Sequence, residues 1–335
     1  MSFFYATDLV SGGGFERSVA VLHRDGKIDL LVPLLEETSA RRATDATIST
    51  YQKPDERTAW LQKALAGHAR IGVNEAELVT TDFLALQEAA LDSAQLIDVS
   101  KGVADARAVK DATELARMRK AARIVSEVAD EVPSILRDGM KEFELAAELS
   151  YRMQKRGATG PSFDSIVAFG EGSGEPHYSP HDVPLQKGQF VLCDFGAYYE
   201  KYASDLTRTW IRGPASKEMK DIYDTVLRAQ TAAFAAVKAG AKGGDVHLAA
   251  ENVINASPWK GRFIHSVGHS LGLAVHDGPA LHPRFDWTLE EGMVVTIEPG
   301  IYVPGTGGVR IEDDVVVTRD GCELLTTARR ELDVV

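Results

Sequence analysis

Basic charge is in short supply: 37 lysines and arginines stand against 49 aspartates and glutamates, for a formal net charge of −12. That balance, with no basic run interleaved with aromatics, argues against general nucleic-acid binding. Cysteine is scarcer still. Cys193 and Cys322 are too few for a disulfide framework and lack metal-finger spacing, so a reducing, cytoplasmic setting is the simpler expectation. Cys193 then reads as a buried strand residue and not as a nucleophile. No stretch offers about 18 uninterrupted apolar residues, so no membrane span is expected. The opening Met1-Ser-Phe-Phe-Tyr-Ala-Thr-Asp8 has no basic stretch leading into an apolar one. A phosphate-cradling loop is also missing: Gly12-Gly13-Gly14 has neither the lysine of a P-loop nor dinucleotide spacing, and reads as a mobile loop. What is present is 335 residues, 44% hydrophobic and 26% charged, enough for two domains and a full core.

The first hundred residues alternate strand-like and helix-like pieces. Ser18 to His23 and Ile28 to Pro33 flank Asp25-Gly26 and predict a β-hairpin. Amphipathic helices are expected at Thr58 to Ala66 and Thr81 to Leu91, with short strands near Arg70 to Val73 and Gln95 to Asp98. This is the pattern of a small α/β domain, residues 1–108. A linker, Ser100 to Lys110, leads to a second domain, residues 109–335, in which one order of elements occurs twice. Asp111 with Glu114 forms a capping box for a helix burying Leu115, Met118, Ala122, Val125 and Ala129. A second helix spans Glu142 to Arg156, stopped by Gly157, and strands follow at Ser165 to Phe169, Gln189 to Phe195 and Ser204 to Ile211. The order restarts at Ser216 with a helix carrying Met219, Ile222, Val226, Ala233 and Val237, closed by Gly240. Asp245 is expected to cap the next helix, before strands near Phe263 to Val267, Met293 to Glu298 and Gly308 to Val317. Two helix-helix-strand halves predict a pseudo-symmetric α+β domain, with helices covering one face of a largely antiparallel sheet.

The last third of the chain carries the chemistry. His265, His269 and His276 are followed by two framed carboxylates, Ile297-Glu298-Pro299-Gly300 and Arg310-Ile311-Glu312-Asp313. Upstream, Asp194 and Asp205 lie eleven positions apart across a hairpin-like connection, so antiparallel pairing can set both on one face. Four carboxylates in a partly buried cavity repel one another unless cations compensate them. Two divalent ions supply that charge, and a centre for two metals in a hydrolase is the expectation. Oxygen-rich ligation with a single imidazole favours manganese, or cobalt, over a thiolate-type zinc site. With ions roughly 3.5–4 Å apart, a bridging water becomes a nucleophile near neutral pH. Taken singly, each residue has a blander reading. Asp194 suits a turn or cap, Asp205 a partner for Arg208, Glu298 a turn, Glu312 a partner for Arg310, and His269 a core histidine.

Pro176-His177-Tyr178-Ser179-Pro180, Asp194-Phe-Gly, Ser204-Asp205-Leu-Thr-Arg-Thr209, His265-Ser-Val-Gly-His269, Val275-His276-Asp277, Ile297-Glu298-Pro-Gly and Val309-Arg310-Ile-Glu312-Asp occur in that order. Together they resemble the aminopeptidase P and prolidase group, whose catalytic domain has the pita-bread, or creatinase-like, fold also found in methionine aminopeptidases. The resemblance runs from about Val109 to the C-terminus. It implies that Asp194, Asp205, His269, Glu298 and Glu312 are the metal ligands, with Asp205 and Glu312 bridging two ions, most simply Mn2+, with Co2+ or Zn2+ as alternatives. It implies that His177, His265 and His276 line the substrate site, and that Glu298 doubles as general base. Arg310 is then either a partner of a ligand or a contact to a substrate carboxylate, and Tyr302 and Tyr178 are offered as a surface for proline. The implied reaction is hydrolysis of the Xaa-Pro bond, in dipeptides or at the N-terminus of longer peptides, by a homodimer. A methionine-type aminopeptidase, a metal-free amidinohydrolase and a non-catalytic binding module are the alternatives on the same fold. Relatives commonly place a helix and a strand before the segment matching Phe3 to Thr7, so an N-terminal domain shortened at its start is expected.

Overall fold

The structure is a computed structural model and describes residues 1–9, 17–90 and 94–335. The triple glycine at 12–14 and Leu91, the expected end of one helix, lie outside the described residues. The chain divides into two compact units, Met1–Arg107 and Ala108–Val335.

The first unit contains α1 (Ser2–Thr7), β1 (Val19–Leu22), β2 (Ile28–Pro33), α2 (Glu37–Ala43), β3 (Thr47–Tyr51), α3 (Pro54–Leu65), β4 (Arg70–Val73), α4 (Thr80–Ala90), β5 (Gln95–Asp98) and α5 (Ser100–Ala108). The hairpin forms as expected: β1 pairs antiparallel with β2 across a turn in which Gly26 takes φ 87°, the left-handed region its lack of Cβ makes accessible. β2 then pairs in parallel with β3, and β4 in parallel with β5. Helix α3 begins four residues before the expected Thr58, because Pro54 is well suited to a first helical turn. The expected linker over Ser100 to Lys110 is instead largely helical. Asp98 accepts from the Ser100 backbone N–H at 2.9 Å, Lys101 pairs with Asp105 one turn on, and alanines fill the interior.

The second unit contains α6 (Ala112–Ile135), α7 (Glu142–Lys155), β6 (Gly160–Pro161), β7 (Ile166–Phe169), β8 (Gln189–Phe195), β9 (Ala197–Tyr199), β10 (Tyr202–Ala203), β11 (Leu206–Arg212), α8 (Lys217–Ala236), α9 (Gly243–Asn255), β12 (Val294–Ile297), β13 (Gly300–Val303), β14 (Gly307–Arg310), β15 (Asp313–Val317) and β16 (Cys322–Leu324). The Asp111/Glu114 capping box is formed, and Ser216 caps α8 through the Met219 N–H. Asp245 does not cap α9: that helix starts at Gly243, so Asp245 falls in its first turn, where a carboxylate still opposes the positive end of the helix.

Duplication is visible in the core. One hydrophobic layer joins α6 and α7 to β7, β8 and β11 through Val125, Val132, Leu145, Val167, Val191 and Leu206. A second joins α8 and α9 to β12–β15 through Ile222, Val226, Ile254, Val295, Ile301 and Val315. Strands pair antiparallel in the orders β11-β8-β7 and β12-β15-β16.

Two expected strands are corrected. Phe263 to Val267 is irregular, with isolated bridges only at His269 and Ser270, because the Val267 N–H is directed to the His247 ring and not solely into a ladder. The expected strand Gly308 to Val317 is broken at Ile311-Glu312, where the Glu312 N–H leaves for the carbonyl of Thr207 on the other half. The break places Glu312 between the two sheets.

Candidate metal centre

Each half contributes one strand end and one strand start. Asp194 lies near the end of β8, opposite Thr207 of β11, and Asp205 precedes β11 by one residue. Residues 205 and 207 share a face, so Asp205 is the diagonal neighbour of Asp194 on one side of the sheet. In the second half Glu298 directly follows β12 and Glu312 directly precedes β15, and Ile297 pairs with Asp313 at that end. Gly196 and Gly268 make the approach possible. A Cβ at Gly196 would collide with the Ser204 carbonyl, and one at Gly268 with the Thr296 carbonyl.

The donors converge. Ligand atoms of Asp205, His269 and Glu312 all lie within 4.8 Å of one another. His269 Nε2 is 3.6 Å from both Asp205 Oδ2 and Glu298 Oε1. Its Nδ1 faces the Ser270 carbonyl at 3.2 Å, which assigns the ring proton to Nδ1 and turns the Nε2 lone pair toward the acids. Burial, and then His276, hold His269 down at about 4, so the imidazole is neutral at physiological pH. Asp194 joins through Arg310, whose Nη2 donates to Asp194 Oδ2 at 2.5 Å.

The electrostatics show an incomplete charge balance. Burial, followed by Glu312 and Asp194, pushes the Asp205 carboxyl well above its usual range, and burial with Glu298 and Asp194 does the same to Glu312. Glu298, the most exposed of the four acids, is pushed up to about 8 by burial and Asp194, against the lowering effect of Arg310. Asp194 Oδ1 and Asp205 Oδ1 are buried with no hydrogen-bond partner. Orphaned carboxylate oxygens, a proton-free nitrogen and acids pushed up by burial and by one another fit divalent cations, and the donor set is hard enough for manganese.

The remaining site residues lie around this cluster. Arg310 donates to Thr207 Oγ1 at 3.0 Å, to the Tyr302 hydroxyl at 2.9 Å and to the Pro176 carbonyl at 3.5 Å. Tyr302 is itself 2.8 Å from His265 Nε2, and the Nδ1 of His265 lies 2.8 Å from the Ser266 carbonyl. Tyr302 therefore donates to His265 and accepts from Arg310, with His265 held neutral by burial and by Arg310 at about 3. The exposed His276 sets its ring edge-on against His269, with centroids 4.3 Å apart. His177 is exposed, next to Pro176. Tyr178 donates its hydroxyl to Glu142, and among the described residues no hydrogen bond links it to the carboxylates.

Some of the local pairings open in the sequence are not formed. Arg208 pairs with Asp313 and not with Asp205, and Arg310 pairs with Asp194 and not with Glu312. Three contributors escaped sequence reasoning. Thr207 Oγ1 donates to Glu312 at 2.6 Å while accepting from Arg310. Thr296 Oγ1 accepts from the His269 N–H and donates to Glu298. Asp314 accepts from the Asp205 N–H at 3.0 Å. Thr207 alone had a signal, its two-residue spacing from Asp205 on a strand.

A duplicated α+β unit that gathers hard donors between its halves defines a metal-dependent hydrolase. Residues 116–319 match the model of metallopeptidase family M24, and residues 2–109 that of the creatinase/prolidase N-terminal domain. The chain belongs to metallopeptidase family M24. It is 41% identical over 243 residues to a putative dipeptidase of Bacillus subtilis, covering 72% of this chain and 67% of that one. It is 35% identical over 303 residues to the Xaa-Pro dipeptidase of Pyrococcus horikoshii, covering 90% and 85%. The crystal structure of an X-Pro aminopeptidase from Thermotoga maritima superposes with a TM-score of 0.92 at 34% identity, covering 100% of this chain and 94% of that one.

Proposed function

We propose that the chain is an Xaa-Pro metallopeptidase, acting on Xaa-Pro dipeptides or at the N-terminus of proline-containing peptides. The observation that carries the reading is the convergence of Asp205, His269 and Glu312, flanked by Asp194 and Glu298, with two buried carboxylate oxygens left unpartnered. The family and the relatives named Xaa-Pro dipeptidase and X-Pro aminopeptidase support the substrate class over a methionine-type aminopeptidase or a binding module.

Asp194, Asp205, His269, Glu298 and Glu312 hold two divalent ions, manganese by the hardness of the donor set. When bound, the ions acidify a water and polarise the scissile carbonyl. The other steps fall to the chain. Glu298, the most accessible of the acids, takes the proton of the attacking water and passes it to the proline nitrogen. That nitrogen has to gain a proton before the C–N bond breaks, and it then leaves as the secondary amine of proline. His276, exposed beside His269, donates to the oxygen that becomes negative as the carbonyl turns tetrahedral. His177 holds the substrate next to the scissile bond. His265 borders the pocket as a neutral ring fixed by Tyr302. Arg310, buried and engaged at all three nitrogens, holds Asp194 and Tyr302 in place, which weighs against a direct contact to a substrate carboxylate. Tyr302 and Tyr178 supply the aromatic surface for proline.

The same reading takes the protein as a cytoplasmic homodimer, supported by the family resemblance and by two unpaired cysteines. No helix among the described residues is long and apolar enough to cross a membrane. Comparing hydrolysis of Xaa-Pro, Xaa-Pro-Yaa-Zaa and Xaa-Ala by manganese-loaded protein tests the specificity. Cleavage of Xaa-Ala at the rate of Xaa-Pro contradicts it, and cleavage of only the dipeptide makes the enzyme a dipeptidase.

A further inference from the structure

Ile297 and Asp313 are the last paired residues where β12 and β15 approach the metal centre. Past them the ladder is interrupted over Glu298-Pro299 and Ile311-Glu312, and it resumes in the same register at Gly300 and Arg310 of β13 and β14. The Glu298 N–H donates to the Val267 carbonyl at 2.7 Å, and the Glu312 N–H to the Thr207 carbonyl at 3.1 Å, on different segments. The pairing on either side sets the register of the two strands, but the N–H groups of the two glutamates themselves are drawn away from each other within the interruption. One side chain spans the interruption: Nε2 of Gln230, on α8, donates to the carbonyls of Ile297 at 3.2 Å and Ile311 at 3.1 Å, one residue before each glutamate. The same nitrogen lies 2.9 Å from Asp313 Oδ2. Three oxygen acceptors fix the orientation of the amide, since a flip would turn its own oxygen on them. Gln230 is fully buried, and its Oε1 has no partner. A buried acceptor left unsatisfied is unfavourable, so what this position gains from glutamine is the donor end.

We propose that Gln230 is a positioning residue for the metal centre, whose amide fixes the backbones of Glu298 and Glu312 relative to one another and so sets ion affinity. The proposal rests on the metallopeptidase reading. Gln230→Met keeps the length and removes the donors, and Gln230→Leu removes them with a branched apolar side chain. Val226→Ala, one turn earlier in the same buried layer, removes core volume without removing a hydrogen bond to the interruption. For each protein, Mn2+ affinity and stoichiometry are measured by calorimetry, the visible spectrum is recorded with Co2+, and the melting temperature is taken metal-free. Both Gln230 variants are expected to bind ions about 10–100-fold more weakly, the usual effect of losing a group that orients a ligand, and to shift the Co2+ spectrum. Val226→Ala is expected to lower the metal-free melting temperature with affinity and spectrum unchanged. Native affinity and spectrum in Gln230→Met overturn the proposal, as does an equal loss of affinity in Val226→Ala. Failure of both Gln230 variants to fold assigns the residue to folding and overturns it as well. If the native chain binds no ion, the metal reading itself fails.

Discussion

Arg310 and Asp194 form a buried ion pair, Nη2 to Oδ2 at 2.5 Å, across 116 positions of sequence. The pair uses one oxygen of Asp194 and leaves Oδ1 buried without a protein partner. Among the described residues this guanidinium is the only cationic side chain in an ion pair with Asp194, Asp205, Glu298 or Glu312.

Removing that cation leaves Asp194 uncompensated beside three other acids. Arg310→Met is expected to destabilise the metal-free protein by about 3–5 kcal/mol, the usual range for breaking a buried pair. Denaturant unfolding in chelator measures it. A change within about 0.5 kcal/mol, as for an ordinary surface substitution, shows that the pair does not balance the cluster.

The raised carboxyls make the metal-free protein sensitive to alkali. Asp205, Glu298 and Glu312 keep protons in the folded chain at pH values where an unfolded carboxyl, titrating near about 4, has lost them. The folded state then binds more protons, and stability falls as pH rises through that window, up to Glu298 at about 8. The buried histidines act in the opposite sense. His247 and His269, lowered to about 4, lose stability as pH falls below the unfolded value of about 6.5. The comparison therefore lies between about pH 7 and about pH 8, above the histidines and before the thiols of Cys193 and Cys322, raised by burial in the folded chain, ionise appreciably in the unfolded one. The melting temperature in chelator is expected to fall over that range, and the fall to shrink when ions are bound. A flat profile in chelator contradicts the charge account.

His276 touches the ring of His269 but shares no hydrogen bond with the acids among the described residues. His276→Ala is expected to lower turnover by about 100-fold or more, the scale of a lost acid-base or hydrogen-bonding group, with two ions still bound. Turnover and metal content of the same sample decide it. Loss of one ion equivalent reassigns His276 as a ligand.

Thr207 is the polar link between Glu312 and Arg310. Thr207→Val keeps the shape and strands a buried acceptor and a buried donor, at a cost of about 1–3 kcal/mol. Thermal and denaturant unfolding measure that loss, and ion affinity is expected to weaken with it. Unchanged stability and affinity would show that water or backbone replaces the hydroxyl.

Much of this was readable from local signals. The Asp111/Glu114 capping box, the Asp-Gly turn and the apolar stretch Phe190 to Cys193 of β8 each act within a few residues, and each formed where expected. Of the donors that the resemblance to the aminopeptidase P and prolidase group implied, Asp205, His269 and Glu312 are brought within 4.8 Å of one another. What was not legible depends on distant partners. The break at Ile311-Glu312 exists because Thr207, on the other half, takes the Glu312 N–H. Arg310 stands two residues from Glu312, yet its guanidinium reaches Asp194 on β8, a choice no spacing along one strand reports. Val267 ends a segment that reads as a strand, but its N–H is shared between the ring of His247 on α9 and the Leu281 carbonyl. Helix α5 was hidden by the opposite error, a polar composition that resembles a linker although Asp98 and the alanines favour a helix.

The central claim is that hydrolysis of the bond before proline depends on ions held by Asp194, Asp205, His269, Glu298 and Glu312. The most direct measurement is turnover of an Xaa-Pro dipeptide by protein stripped exhaustively with chelator, then titrated with Mn2+ while bound metal is counted. The account predicts no turnover in the stripped protein and recovery that saturates at two ions per chain. Undiminished turnover in rigorously metal-free protein would contradict it.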